Sequence, residues 1–145
     1  MTVVRRSNLV QFSQSQMFAL VADVSAYQYF LPWCRRSVVH ESNECSMRAS
    51  LEVAKGPFSK RFTTLNKLTP NRCIDIELVE GPFRSLDGRW MFHERGGHAC
   101  FISLNLNFEF VSRIVAATFG PVFNEIAGTM VNAFSRRAWQ LYGKY

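Results

Sequence analysis

The chain has 145 residues, 48% of them hydrophobic and 19% charged. That is the size and balance of one ordinary domain, able to bury roughly two-thirds of its unfolded surface, and it excludes a disordered chain. No run of eighteen apolar residues occurs, which argues against a membrane span, and Met1 to Arg6 carries two arginines with no apolar stretch or cleavage site behind them, so no signal peptide is expected. Seventeen Lys and Arg against eleven Asp and Glu give a net charge of +6, which favours anionic partners such as RNA or acidic headgroups without choosing between them.

In chain order, Val3 to Phe12 reads as a strand. Ser13-Gln14-Ser15-Gln16 then forms a capping box, with Phe12 and Met17 placed as a hydrophobic staple, and Met17, Phe18, Leu20, Val21 and Val24 give a helical apolar face. A second box, Ser25-Ala26-Tyr27-Gln28, predicts another helix, kept short because Pro32 disfavours helical geometry at Leu31. From there the period changes to two. Met47, Ala49, Leu51 and Val53 alternate with polar residues, and Phe58 to Leu68, Cys73 to Val79, Leu86 to His93 and Ala99 to Val111 follow as strands. Gly56-Pro57, Thr69-Pro70-Asn71, Gly81-Pro82 and Gly96-Gly97 supply the turns between them.

The last strand points Cys100, Ile102, Leu104, Leu106, Phe108 and Phe110 to one face, with polar residues on the other, so the sheet is dry on one side only. The tail covers the dry side. Apolar residues from Ile114 to Leu141 recur at helical steps after a cap at Ser112, and Gly120-Pro121 predicts a kink or break in that helix. The expectation is a single α+β domain over residues 1–145: a curved antiparallel sheet wrapped around a long C-terminal helix, with two short helices after the first strand.

The sequence gives catalysis no foothold. His40, His93 and His98 have no zinc spacing, and there is no phosphate loop or nucleophile elbow. Glu125 lies off the main stripe of the last helix, in line with Thr129 and Asn132, and reads as an exposed or hydrogen-bonded structural acid. Cys34, Cys45, Cys73 and Cys100 lack metal or redox spacing and read as reduced thiols of a cytosolic chain.

Aromatic residues reach 14%, with 13 Phe. Rings concentrate in Tyr27 to Cys34 and in Gly81 to Phe92, where Leu86, Trp90 and Phe92 share a strand face with Gly88 among them. Two readings stand: the rings fill a core, or a curved sheet and its helix leave a cavity for an apolar ligand. Arg35, Arg36, Lys55, Lys60, Arg61, Lys67 and Arg72 gather in the strand-rich first half, where a stripe of them would contact an anionic surface. No aromatic interleaving of the kind that stacks single-stranded bases accompanies them.

Three stretches resemble a known family. They are Ala22-Asp23-Val24-Ser25-Ala26-Tyr27-Gln28-Tyr29-Phe30-Leu31-Pro32-Trp33-Cys34; Val79-Glu80-Gly81-Pro82-Phe83 running on through Leu86, Gly88 and Trp90-Met91-Phe92; and Phe108-Glu109-Phe110 followed by Phe119-Gly120, Phe123 and Met130 to Phe134. In this order, over essentially the whole chain, they are similar to the coenzyme Q-binding START-like family and its bacterial ribosome association toxin (RatA) subfamily. Pro121 departs from the pattern.

The resemblance implies a helix-grip fold (START-like, Bet v 1-like) and a non-enzymatic module without a required cofactor. Ubiquinone or a related polyprenyl lipid would sit between sheet and helix in support of respiratory electron transport. The alternative it implies is binding to the large ribosomal subunit, which blocks subunit joining. The older family label of polyketide cyclase finds no acid–base pair here. The expected cavity lining is Phe30, Leu31 and Trp33 from the loop, Phe83, Leu86, Trp90, Phe92 and Phe108 from strands, and Phe119, Phe123, Met130 and Phe134 from the helix. A monomer in the cytoplasm, meeting the inner membrane transiently, completes the expectation.

Overall fold

The computed structural model describes residues 1–143. Strand β1 (Thr2–Val10) runs into α1 (Gln14–Ala22) through the expected box: the Ser13 hydroxyl accepts from the Gln16 amide at 3.1 Å, and the Gln16 side chain accepts from the Ser13 amide at 2.9 Å. Phe12 and Met17 are both buried in one cluster beside it. The second box does not form. A 3₁₀ turn spans Val24–Tyr29 with Asp23 at its cap position, and the Ser25 hydroxyl donates to the Asp23 carboxylate at 3.0 Å instead of accepting from the backbone.

Six more strands follow and complete, with β1, one seven-stranded antiparallel sheet of order β1-β7-β6-β5-β4-β3-β2. After β1 they are β2 (Cys34–Ser42), β3 (Ser46–Lys55), β4 (Phe58–Thr69), β5 (Cys73–Glu80), β6 (Phe83–Arg95) and β7 (Ala99–Phe110). The alternation in the sequence did not reveal β2. It lies at the edge, and its register against β3 shifts twice, between Cys34 and Arg36 and between Val39 and Glu41, which breaks the period of two. At the β5–β6 turn Gly81 has φ +155°, and a Cβ there would stand 2.5 Å from the Cβ of Phe62. Only glycine fits.

Helix α2 (Arg113–Tyr142) closes the concave face, its start capped by the Ser112 hydroxyl, which accepts from the Val115 amide at 3.2 Å. It runs through Pro121 without the break that was one of the two expected outcomes. Pro121 and Ala117 both lie on the outer side, so the carbonyl that loses its helical donor has water as a substitute. By length and composition α2 is apolar enough to cross a membrane. Here its apolar stripe, including Phe119, Phe123, Ile126, Val131 and Phe134, is buried against the sheet.

The core has two parts. One gathers α1, the 3₁₀ turn, Trp90, Phe92 and Phe134; the other gathers Phe62, Phe83, Phe108, Phe119 and Phe123. Edge-on ring packing binds each: Phe134 meets Tyr27 at 5.1 Å and Trp90 at 5.4 Å, while Phe123 meets Phe83 at 4.9 Å and Phe108 at 4.8 Å.

Candidate functional site

Where these two ring clusters approach each other, smaller side chains take over and the packing opens. The sheet presents Ala49 and Leu51 from β3, Thr64 and Asn66 from β4, Ile76 from β5, and Leu86 and Trp90 from β6. Phe123, Ile126, Ala127 and Met130 of α2 form the roof, and Val24, Tyr27 and Trp33 close one end. The cavity volume is about 80 Å³. An apolar cavity of about 150 Å³, roughly twice this volume, takes benzene, so even a single ring enters only as the walls move outward.

Of the residues expected to line a cavity, Trp33, Leu86, Trp90, Phe123 and Met130 border the hollow. The others stand behind it. Leu31, Phe92 and Phe134 are packed in the first ring cluster, with Phe92 against Phe18 at 5.7 Å. Phe83, Phe108 and Phe119 are buried in the second. Phe30 packs on Phe134 at 5.6 Å and lies under the Arg137 guanidinium at 5.0 Å. The room expected over Gly88 is taken by Leu106, whose methyl would stand 2.7 Å from a Cβ at that position.

Sequence reasoning missed Thr64 and Asn66. Both share the inward phase of Phe62 and Leu68 on β4, so polar residues at dry-face positions were the available signal. The Thr64 hydroxyl donates to the Asn66 side-chain oxygen at 3.0 Å, and both residues are only 8% exposed. Tyr27, also on the wall, donates its hydroxyl to the Val21 carbonyl, and burial pushes its phenol pKa up, with the charge of Asp23 adding to the effect. Cys34, in the first ring cluster, has its thiol raised to about 11 by burial. Among the described residues, no carboxylate, imidazole, amine or thiol lines the hollow. The lining can enclose and hydrogen-bond a molecule but offers no proton shuttle.

Trp33 has a second role in the architecture. It also borders an outer groove of about 230 Å³ that contains Phe30, Pro32, Arg136 and Arg137, so one half-buried indole stands between hollow and surface.

The expected basic stripe divides in two. Arg35, Arg36, Lys55, Lys60 and Arg61 gather where β2 begins and the β3–β4 hairpin turns, all exposed. Glu52 sits among them, opposite both Arg36 and Arg61 in the ladder and 3.9 Å from Arg35. Glu125 pairs with Lys55, as an exposed structural acid. Lys67 lies seven residues along β4 from Lys60, about 23 Å at 3.3 Å per residue. It faces Asp75, which Arg89 holds at 2.6 Å, and Arg72 is at the adjacent turn.

Residues 10–135 match the family model described as polyketide cyclase / dehydrase and lipid transport. The chain is 50% identical over 144 residues to the ribosome association toxin RatA of Vibrio cholerae, covering 99% of this chain and all of that one. It is 31% identical to the mitochondrial coenzyme Q-binding protein COQ10 homolog B of Xenopus laevis, over 95% of this chain and 58% of that protein. Among solved structures, the Zhui aromatase/cyclase of a Streptomyces species superposes with a TM-score of 0.84 over 94% of this chain and 93% of that one, at 16% identity, a likeness of fold.

Proposed function

Because the chain belongs to the polyketide cyclase/dehydrase and lipid transport family, in the branch of the ribosome association toxins, we propose that it binds the large ribosomal subunit and blocks subunit joining. One observation carries this reading: half of all positions match a protein of that name from end to end of both chains. The cluster of Arg35, Arg36, Lys60 and Arg61 supplies a surface suited to phosphates, and each phosphate neutralised by a cation releases counterions. The protein then acts in the cytoplasm, from its outside and without a cofactor.

Co-sedimentation of the purified protein with large subunits over a salt series tests this. With about four phosphates engaged, the logarithm of the binding constant falls against the logarithm of salt with a slope of about −3. Reversing the four charges together removes binding. Absence of co-sedimentation at low salt would refute the function; binding that survives charge reversal would move the contact elsewhere on the molecule.

The hollow supports a second reading, in which its apolar walls take up an apolar ligand. A quinone ring would enter only as the walls move outward, and a long isoprenoid tail would have to leave past the rim. Each CH₂ withdrawn from water contributes about 0.8 kcal/mol to uptake. In this reading Trp33 and Phe30, which border the outer groove, would govern entry, and Arg136 and Arg137 beside them would meet acidic headgroups of the inner membrane. The double variant Phe30→Ala, Trp33→Ala should then extract quinone from vesicles at a changed rate. An unchanged rate would remove the gating role, and no extraction by the parent protein would remove quinone as the ligand.

A further inference from the structure

Asn66 is an anomaly on the dry face of the sheet. Its ladder neighbours are Met47 on β3 and Ile76 on β5, with Gly88 next in the row, so nothing polar flanks it across the strands. The Thr64 hydroxyl occupies its side-chain oxygen. The amide nitrogen, with two N–H groups to donate, has no protein partner among the described residues, although the residue is 92% buried by its 8% exposure and borders the hollow. That nitrogen is not sealed off as Ser85 Oγ and Arg137 Nε are, so a molecule in the hollow that Asn66 borders can reach it.

Because Thr64 donates to the oxygen, the carboxamide is held in one orientation, with its nitrogen left to donate. Ligand pockets combine apolar walls with a few polar groups that fix orientation, and this wall has such a group. We propose that the Asn66 amide, oriented by Thr64, is the anchor of the hollow, donating a hydrogen bond to the carbonyl oxygen of a ring-sized apolar ligand. This rests on the second reading above, and it adds a chemical class: a compact ring that carries an acceptor, held at β4 in the middle of the sheet.

Cyclohexanone and methylenecyclohexane serve as probes, since they share a shape and differ in the acceptor. Their affinities for the intact protein are measured by ligand-observed NMR, and the carbonyl band of bound cyclohexanone by infrared spectroscopy. In the parent the band lies below its frequency in an apolar solvent. In Asn66→Leu the affinity for cyclohexanone relative to methylenecyclohexane falls about fivefold, the worth of one net hydrogen bond, and the band returns to the apolar frequency. Thr64→Val shifts both in the same direction by less. If both probes bind and neither the ratio nor the band depends on Asn66, the anchor is overturned while the apolar-ligand reading stands. An apolar-solvent frequency in the parent itself would overturn the anchor without any variant. If the parent binds neither probe, the apolar-ligand reading falls and the anchor with it.

Discussion

At the scale of single residues, burial decides the chemistry of the thiols. Cys34 and Cys100 are buried and their pKa values are raised to about 11, burial being the largest cause in each. In the unfolded chain both ionise near 9.0. The native state therefore holds more protons than the unfolded state between those values, and stability falls as pH rises through them. Below about 9 the contribution is fully present; by about 11 it is lost. Urea unfolding at pH 8, 9.5 and 11 should show a declining midpoint, and Cys34→Ala, Cys100→Ala should flatten the decline. A thiol reagent at pH 8 should modify exposed Cys45 at once and reach Cys34 and Cys100 only with unfolding. Asn66→Leu should raise stability by at most about 1 kcal/mol, since it replaces an amide whose nitrogen has no protein partner by an apolar group on the dry face. Functional positions commonly give up stability in this way.

At the scale of elements, the best-read segments were those in which one physical signal acts alone. The Ser13 box and the Ser112 cap are local hydrogen bonds written in a few residues, and both form. The β7 alternation depends only on one dry face, and its burial follows it. Where two effects compete, the sequence misleads. Bulges in β2 interrupted its alternation. The Ser25 box yielded to a 3₁₀ turn starting at Val24, and Pro121 was accommodated because its side of α2 meets solvent. The β5–β6 turn offers a test of local constraint. Gly81→Ala adds a methyl against Phe62 in a region of φ that favours glycine, and should cost about 1–3 kcal/mol by overpacking. Thermal unfolding would register this as a lowered Tm, whereas Gly96→Ala, with open space around it, pays only for its backbone.

For the whole molecule, pattern placed the sheet, the helix and the dry space between them. It could not place the hollow, because whether rings meet or miss depends on sheet curvature and on which small side chains face each other. Ala49 and Ala127 help to leave the gap, and neither is conspicuous in a sequence searched for large rings. The expected lining was therefore weighted toward rings such as Phe83, Phe108 and Phe119, which pack one layer behind. The division between inside and outside yields a prediction. Ala127→Leu should fill the hollow, abolish binding of methylenecyclohexane and leave co-sedimentation with large subunits unchanged. Loss of both together would mean that one surface serves the two activities.

The first strand finds its partner only in the last: Arg5 lies opposite Asn105. At 5–20 residues per second, translation needs about 5–20 s to span those hundred residues. Through that interval β1 has no edge to join and the sheet cannot close. The far edge, β2 to β4, pairs through neighbouring hairpins and has no such wait, so the two halves of the sheet are completed at different times.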